Sequence, residues 1–351
     1  MVSIDYRGFW FTAKFLIVFF SAVFLAQNIP YLFFDINFDS ILNNQIKKIK
    51  TVRRAALLAS LTKIDDKPIK LAFVGDIMLD RSVEKAILDH GGGSYKYPFL
   101  KILSELRGYS ILFGNLEGPI TEGGVNQGSQ YSFKMRPVAA YMLSLAGFDI
   151  VSVANNHIAD WGKDAIKETM QWLTAANLIY VGADLFEDGA SGSKVIRLED
   201  GTKLAFSAFT EHRGVYAGDT DCPCIALINE EKIKEGVKEA ELKADIVIVS
   251  FHFGEEYQDL PNDFQKKIGH LAIDSGADLV IGHHPHVVQP VEKYKEGYIA
   301  YSLGNFIFDQ NFSEETMQGL LLEAELKNNR ILGVKVRKIK LNSNFQPELI
   351  Y

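Results

Sequence analysis

From Pro68 onward, short apolar runs rich in β-branched residues alternate with longer segments that have the apolar spacing of amphipathic helices. This alternation constrains the fold more than any other feature, because it predicts an α/β domain whose strands are largely buried. The predicted strands cover residues 69–75, 110–114, 149–154, 203–209, 245–251, 278–282 and 298–303. The predicted helices cover residues 81–90, 98–106, 137–146, 163–176, 230–242 and 261–275. Residues 319–326 and 331–341 have instead the pattern of an antiparallel hairpin that closes the domain.

Five of the predicted strands end in loops that carry polar side chains. In an open α/β sheet the loops at the carboxyl ends of the strands converge on one crevice, so these side chains are expected to lie together. Five of the eight histidines in the chain lie in these loops. Imidazole and carboxylate groups are the ligand mixture that suits Mn, Zn or Fe, and the sequence therefore predicts a site for a divalent transition metal. The candidate residues are Asp76, Asn115, Glu117, Asn156, His157, Asp160, His252, His283, His284 and His286.

Several of these residues, taken singly, also have a purely structural interpretation. Asp76 could cap the helix that is predicted to begin near Arg81, and Asp160 could cap the helix that is predicted at residues 163–176. Asn155 and Asn156 could occupy left-handed turn positions. For these residues the two interpretations stay open.

The segment His283-His284-Pro285-His286 is different, because three imidazoles in four residues have little packing rationale and would repel one another if protonated. Metal ligation is the better interpretation there. A lone histidine at a strand end, such as His252, is more often structural. Glu255 and Glu256 could extend the site or face solvent, and solvent is favoured for at least one of them.

The first 34 residues differ from everything after them and predict a membrane anchor. Arg7 and Lys14 precede a long apolar run, which places the N-terminus inside and the remaining chain outside. A cleaved signal would need small residues one and three positions before the cut, but Phe24 lies two residues before Ala26, the best candidate end. Retention as a single-pass anchor is therefore favoured. The predicted organisation is an anchor at residues 1–34, a stalk at residues 35–67 and a globular domain at residues 68–351.

Six short motifs follow one another between about residues 69 and 341. They are Gly75-Asp76 with Arg81, Asn115-Leu116-Glu117-Gly118, Ala154-Asn155-Asn156-His157 with Asp160, His252-Phe253-Gly254-Glu255, Gly282-His283-His284-Pro285-His286-Val287 and Ser302-Leu303-Gly304-Asn305-Phe306. In this order they resemble the CapA family of capsule-synthesis proteins, which is linked to poly-γ-glutamate production. The resemblance implies a calcineurin-like metallophosphoesterase fold of two sheets flanked by helices. It also implies an anchored extracytoplasmic protein beside a membrane-bound poly-γ-glutamate synthase and exporter.

The same resemblance assigns roles to the metal ligands, with two departures. Asp76 matches a ligand of the first loop, but Met78 stands where the superfamily has a histidine. The second loop, which normally supplies a bridging aspartate, holds Asn115 and Glu117. These departures leave one metal position well defined and one open, so a two-metal hydrolase is not assured.

In the remaining loops the resemblance is closer. Asn156 looks like the superfamily's asparagine ligand, and His157 looks like the histidine that assists the leaving group, with Asp160 available to orient it. The imidazole ligands would be His252, His284 and His286, and His283 could take the place of His284. We therefore expect Asp76 and His286 to share a metal ion, with His157 beside it as a catalytic group.

Three classes of function are compatible with this sequence. The first is a metal-dependent hydrolase or transferase that acts on the capsule polymer or a related partner. The second is a non-catalytic accessory protein that binds poly-γ-glutamate or its synthase, and the third is a general extracytoplasmic phosphoesterase. A nucleic-acid partner is not expected, because the formal net charge is −7 and such proteins present an excess of Lys and Arg to phosphates.

Overall fold

The computed structural model describes residues 68–214 and 224–350, which are arranged around two β-sheets. The first sheet has eight strands: β1 (Ile69–Ile77), β2 (Ile111–Leu116), β3 (Ile150–Ser152), β4 (Ile179–Val181), β13 (Asn305–Ile307), β14 (Gln318–Lys327), β15 (Arg330–Leu341) and β16 (Pro347–Ile350). Their order is β16-β15-β14-β1-β2-β3-β4, and β13 pairs with the end of β1. Strands β1 to β4 are parallel, and β14 to β16 extend the sheet in antiparallel fashion.

The second sheet has six strands in the order β11-β12-β10-β9-β7-β6. They are β6 (Lys194–Arg197), β7 (Lys203–Thr210), β9 (Ile246–His252), β10 (Leu279–His283), β11 (Val291–Tyr294) and β12 (Gly297–Ala300). Its four central strands are parallel. A separate antiparallel pair joins β5 (Ala183–Asp184) to β8 (Cys224–Ile225).

Seven α-helices lie within the described residues: α1 (Arg81–Asp89), α2 (Leu103–Leu106), α3 (Val138–Ala146), α4 (Gly162–Ala175), α5 (Glu187–Ser191), α6 (Glu230–Glu241) and α7 (Asp263–Asp274). Two single turns of 3₁₀-helix occur at Tyr97–Phe99 and Glu315–Met317. None of these helices combines the length and the apolar composition needed to cross a bilayer.

Side-chain alternation along the strands sorts the core into layers. In β1, Leu71 and Phe73 point between the two sheets, where they join residues such as Phe206 of the second sheet. Ala72 and Val74 point the opposite way and pack with α1, α3 and α4. Helices α5, α6 and α7 cover the outer face of the second sheet. The expected α/β architecture of two packed sheets flanked by helices is therefore confirmed.

The chain crosses from the second sheet to the first between the end of β12 and the start of β13, and residues 301–305 touch three glycines. A Cβ on Gly75 would lie 1.8 Å from the Gly304 carbonyl oxygen, and one on Gly282 would lie 1.9 Å from the Tyr301 oxygen. A Cβ on Gly319 would lie 2.1 Å from the oxygen of Asn305. These approaches are possible only because the three residues lack side chains.

The seven predicted strands and the hairpin are all present, with ends that move by up to three residues. The predicted helix at residues 98–106 is wrong: the chain forms the turn Tyr97–Phe99 and then the short helix α2. Tyr97 O accepts the Leu100 amide at 3.2 Å, three residues on, and also the Gln346 Nε2 at 2.6 Å, so it is not free for a regular helical bond. The predicted anchor and stalk lie outside the described residues.

Candidate metal centre

The ends of strands from both sheets meet at one place. Asp76 near the end of β1 pairs in register with Asn115 near the end of β2. In the second sheet, His252 at the end of β9 pairs with His283 at the end of β10. The amide of His284 then donates to Asp76 Oδ2 across the two sheets at 3.4 Å. The convergence that was predicted from the strand ends is thus present.

Asp76 is fully buried at the centre of this cluster. Asn115 Nδ2 donates to Asp76 Oδ1 at 2.8 Å, His283 Nδ1 lies 3.2 Å from the same oxygen, and His286 Nδ1 lies 3.4 Å from Oδ2. Burial by itself would raise the pKa of Asp76, but the hydrogen bonds and charges of His283 and His286 outweigh it and hold the pKa well below its usual range. Asp76 is therefore an ionised carboxylate suited to binding a cation.

Glu117 is the second fully buried carboxylate of the cluster. Its Oε1 lies 3.5 Å from His286 Nε2 and 3.9 Å from His157 Nε2, yet no described residue forms a hydrogen bond with this oxygen. Burial raises the pKa of Glu117 well above its usual range; His286 opposes the shift, and the negative charges of Asp76 and Glu256 reinforce it. A buried carboxylate oxygen without a donor is a group that a metal ion would satisfy.

Three imidazoles complete the cluster. His252 Nε2 lies 2.7 Å from Asn156 Oδ1 and 3.1 Å from His284 Nδ1. Burial and the charges of neighbouring imidazoles hold the pKa of His252 and His284 well below the usual range, so both rings are neutral, the form that binds metals. Burial also lowers the pKa of His286, but Glu117 and Asp76 outweigh it and raise the pKa to about 9.

The backbone of the His284–His286 loop is strained. His284 has φ 99° and His286 has φ 58°, a region that residues with side chains rarely occupy and that costs about 1–3 kcal/mol per residue. Neighbouring chain holds the loop in place, since the Phe253 amide donates to His283 O at 3.1 Å and the Tyr257 amide donates to Pro285 O at 2.8 Å. This backbone conformation directs both imidazoles into the cluster.

His157 and Asp160 form a hydrogen-bonded pair at the edge of the cluster. His157 Nδ1 lies 2.8 Å from Asp160 Oδ2, and that oxygen also accepts the Phe133 amide at 2.9 Å. The Phe133 ring packs against the His157 ring with centroids 4.2 Å apart. Because Nδ1 is engaged, Nε2 is the nitrogen that faces Glu117 and the cluster.

The capping interpretations of the two aspartates are wrong. Asp76 lies inside β1, and the residue before α1 is Asp80. Asp160 forms a hydrogen bond with His157 instead. The residue before α4 is Trp161, whose side chain does not cap the helix. Both aspartates belong to the site.

Asn155 and Asn156 are not in left-handed turn positions either, because neither has a positive φ. Asn155 Nδ2 donates to Leu116 O at 2.8 Å and to Asn115 Oδ1 at 3.2 Å, which fixes the second loop. Asn156 instead faces His252.

His283 is close to Asp76 but differs from the other histidines. It is fully buried; its Nδ1 faces Asp76 Oδ1 at 3.2 Å, and its Nε2 has no hydrogen-bond partner among the described residues. Its ring lies 6.2 Å from that of Phe113, beneath the cluster. Its position favours a role in holding Asp76.

Two further residues of the site were not assigned by the sequence. The His212 ring lies 4.4 Å from that of His284, and His212 Nε2 lies 3.2 Å from Gly254 O. His212 follows β7, which is also a parallel strand, so the strand-end rule could have found it. Asn305 lies in a quoted motif, and its Oδ1 is 3.0 Å from His286 Nδ1.

The donor set fits a divalent transition metal. Asp76, Glu117 and His252 each offer an atom within 4.8 Å of the other two, and the same holds for Glu256, His284 and His286. Mixed imidazole and carboxylate donors suit Mn, Zn or Fe. Together with the unpartnered Glu117 oxygen, this geometry makes the cluster a candidate metal centre.

Comparison with known proteins decides the family. Residues 70–310 match the family described as "Bacterial capsule synthesis protein PGA_cap". The chain belongs to this family. It is 33% identical over 267 residues to "PGA biosynthesis protein CapA" of Bacillus subtilis (strain 168), which covers 75% of this chain and 69% of that protein. It is 31% identical over 290 residues to "Capsule biosynthesis protein CapA" of Bacillus anthracis, covering 79% and 69%. The predicted family relationship is confirmed.

Two further similarities of this PGA_cap member are more distant. "Probable polyglutamine synthesis accessory protein" of Mycobacterium tuberculosis (strain CDC 1551 / Oshkosh) is 27% identical over 231 residues, covering 61% of this chain and 60% of that protein. A crystal structure described as a novel phosphatase from Mycoplasma pneumoniae has a TM-score of 0.50 at 15% identity, covering 78% of this chain and 94% of that one. The second similarity concerns the fold alone.

Proposed function

We propose that this protein takes part in the synthesis or export of poly-γ-glutamate or a related cell-surface polymer, through a metal-dependent hydrolase or transferase site. It would work outside the cell, anchored by residues 1–34, beside a membrane-bound synthase and exporter. The names of the two CapA relatives support the polymer. The apolar N-terminal segment and the charges before it support the location.

The observation that carries the catalytic part of the proposal is the convergence of two buried carboxylates and three buried imidazoles at the strand ends. Asp76, Glu117, Asn156, His252, His284 and His286 would hold the metal. A bound divalent ion would supply Lewis-acid polarisation of a substrate oxygen.

His157 is suited to move a proton in this site. Asp160 accepts the Nδ1 proton, which fixes the tautomer and stabilises the imidazolium form of the ring. Nε2 then presents its proton towards the space beside Glu117. In the proposed reaction water or an acceptor group forms the new bond to the substrate, this proton passes to the leaving group as the old bond breaks, and His157 is reprotonated by the proton that the nucleophile loses.

A second candidate function is that of a non-catalytic accessory protein that binds the polymer or its synthase. The direct bond from Asn115 to Asp76 favours it, because an amide stands at the position of the bridging carboxylate and satisfies Asp76 within the protein. The printed name of the Mycobacterium tuberculosis relative, an accessory protein, also supports it. In that case the histidine cluster would serve the structure alone.

Metal content and polymer output in cells distinguish these functions. Asp76→Ala and His286→Ala should lower the metal content of the purified protein and abolish polymer output. His157→Ala should keep the metal and lose general-acid assistance, which is worth roughly 10²- to 10⁴-fold in rate. Elemental analysis and quantification of cell-surface polymer check both.

His270→Ala is the matched control. His270 stacks on Tyr294 and pairs with Glu292, outside the cluster, so its replacement should change neither readout. If His157→Ala and His286→Ala both retain full metal content and full polymer output, the catalytic proposal is wrong and the accessory function takes its place. Hydrolysis of a simple phosphoester without any effect on polymer would instead indicate a general phosphoesterase.

A further inference from the structure

Arg81 belongs to the first sequence motif, is not among the candidate metal ligands, and has a strained backbone. It is the first residue of α1, and its φ is 55°, in the left-handed region that costs a residue with a side chain about 1–3 kcal/mol. A glycine would occupy this position without that cost. Strain of this kind persists where a site needs it, so the Arg81 side chain is a candidate functional group.

The Arg81 guanidinium is held in one orientation by its neighbours. Its Nε lies 3.3 Å from Oδ2 of Asp309, whose side chain is fully buried. The Ser82 amide donates to the same oxygen at 3.2 Å, which fixes the carboxylate in turn. The Arg81 Cζ lies 5.5 Å from the centre of the Phe133 ring and 5.8 Å from that of the Tyr131 ring. The guanidinium is therefore preorganised before any ligand binds.

Within the described ranges, the two terminal nitrogens of this guanidinium have no protein partner, and the side chain is 38% exposed. The terminal nitrogens of an arginine form a planar fork that can bind both oxygens of a carboxylate. Two nearby cations differ from Arg81 in this respect. Lys134 Nζ donates to Glu122 O at 3.2 Å, and Arg136 Nε pairs with Glu84 at 2.6 Å.

Phe133 connects the guanidinium to the proton donor of the proposed reaction. Its ring packs against the His157 ring with centroids 4.2 Å apart, and the same ring contacts the Arg81 guanidinium. The Phe308 ring packs against both Phe133 and His286. An anionic group bound by Arg81 would therefore lie one aromatic ring away from His157.

We propose that Arg81 binds a free carboxylate of poly-γ-glutamate and thereby sets which bond of the chain lies beside His157. This inference rests on the proposed function and deepens it, because it names the group by which the polymer is recognised. In a γ-linked chain the α-carboxylate of every residue is free, so each backbone amide has a carboxylate on either side. The protein has a formal net charge of −7, so a polyanion needs a local cation of this kind.

The aromatic side chain beside Arg81 suits the apolar part of the same polymer. Tyr131 is 54% exposed and lies against the guanidinium. The two methylene groups of a glutamyl residue can pack on this ring while the carboxylate meets the fork of Arg81. A free phosphate ion would use the guanidinium alone. The combination of cation and exposed ring therefore favours the polymer over a simple phosphate.

The experiment is calorimetric titration of a synthetic γ-linked glutamate oligomer into the detergent-solubilised full chain with its metal in place. Arg81→Gln should weaken binding by at least about 10-fold, as expected when a charged hydrogen-bonding group is lost. Arg81→Lys keeps a positive charge near Asp309, so it should fold even if Arg81→Gln does not. It lacks the fork and should lose most of the same affinity.

The fully esterified oligomer separates recognition of the carboxylate from a structural effect of the substitution. It has the same backbone without the carboxylate charges, so its affinity should be equal for the natural protein and for Arg81→Gln. Equal loss of acid and ester binding in Arg81→Gln would overturn the inference. Unchanged binding of the acid by Arg81→Gln and Arg81→Lys would overturn it as well.

Arg107→Gln is the matched control, because Arg107 is an exposed arginine that follows α2. It removes the same charge and should bind the acid as the natural protein does. A loss in Arg107→Gln as large as that in Arg81→Gln would show that only overall charge matters, and the inference would be wrong. Thermal unfolding shows that each variant is folded.

Failure of this inference is distinguishable from failure of the proposed function. If the natural protein does not bind the oligomer, or if Arg81→Gln weakens binding of inorganic phosphate and not of the oligomer, the inference is wrong. Reduced polymer output in His157→Ala would then leave the proposed function standing. Full metal content and full polymer output in His157→Ala and His286→Ala would overturn the proposed catalytic function itself.

Discussion

His157 and Asp160 lie three residues apart in one loop, and their hydrogen bond shows how single side chains acquire a function in this site. Asp160 is fully buried, and its Oδ2 accepts from His157 and from the Phe133 amide. Phe133 in turn packs on both His157 and Phe308, which excludes water from the pair. The aspartate therefore acts on the reaction through the orientation and tautomer of His157.

Asp160→Asn tests this positioning role. An amide can donate to His157 Nδ1, which would move the ring proton to Nε2 and remove the charge that stabilises the imidazolium. We expect metal content to be unchanged and polymer output to fall strongly, with a rate loss of roughly 10²- to 10⁴-fold for the reaction. Nitrogen-15 chemical shifts of the His157 ring report the tautomer directly.

Asp164→Asn provides the control for that variant. Asp164 lies four residues further on, and its side chain is 73% exposed. Its replacement should leave tautomer and output as they are. An unchanged His157 tautomer together with full output in Asp160→Asn would contradict the positioning role.

At the scale of elements, the segment between β12 and β13 joins the two sheets at the metal centre. The Leu303 amide donates to Gly282 O at 3.2 Å in the second sheet, and Gly304 O accepts the Asp76 amide at 3.0 Å in the first. The Leu320 amide donates to Leu303 O at 2.8 Å. One stretch of chain therefore fixes the distance between Asp76 and the histidine loop.

Gly282→Ala should disturb this junction. The added Cβ would meet the Tyr301 carbonyl oxygen at 1.9 Å, so the crossing segment or β10 must move. We expect a loss of about 1–3 kcal/mol in the free energy of unfolding, as for other overpacked positions. Metal affinity should fall as well, because His283 and His284 follow directly. Chemical denaturation and metal titration measure the two effects.

Gly108→Ala is the comparison for this substitution. Gly108 is exposed, and the nearest atom to an added Cβ is 3.9 Å away. Gly108→Ala should change the free energy of unfolding by no more than about 0.5 kcal/mol. Equal stability and equal metal affinity in the two variants would show that the crossing segment does not set the geometry of the centre.

At the scale of the whole molecule, the described part of the chain begins directly with the central strand of the first sheet. β1 lies between β14 and β2, and pairs with β13 as well. Residues of β1 belong to two of the three core layers, the one between the sheets and the one that packs with α1, α3 and α4. The C-terminal hairpin of β14 and β15 extends the first sheet on one side of β1.

A fragment that starts at Asp65 should therefore fold and stay soluble without residues 1–60. Size-exclusion chromatography and circular dichroism would check this against the detergent-extracted full chain. A fragment that starts at Phe73 should fail, because it removes the first four residues of β1 and with them the pairs to Ala324 and Ile111. Aggregation of the Asp65 fragment beside a monodisperse full chain would contradict the predicted domain boundary.

The sequence alone determined the longer elements and the side of the sheets on which the site lies. Each long strand is marked by its own apolar pattern, and the polar residue that follows it needs no distant information to be recognised. Several strands of three or four residues, such as β4 and β13, were missed because so short a run carries too little pattern. The sequence did not predict that the helix expected at residues 98–106 would be interrupted after Tyr97, because Gln346, which binds the Tyr97 carbonyl oxygen, lies 249 residues away.

Only the tertiary structure decided how the chemistry at the strand ends is arranged. Asp76 and His286 are 210 residues apart in the chain, and the sequence could not say that His283 would lie beneath Asp76 or that Asn115 would donate to it. Nor could it say that Glu256, and not the adjacent Glu255, would lie near His284 and His286. The physical reason is that these neighbours are set by contacts between loops far apart in the chain, such as the bond from the Tyr257 amide to the Pro285 carbonyl oxygen.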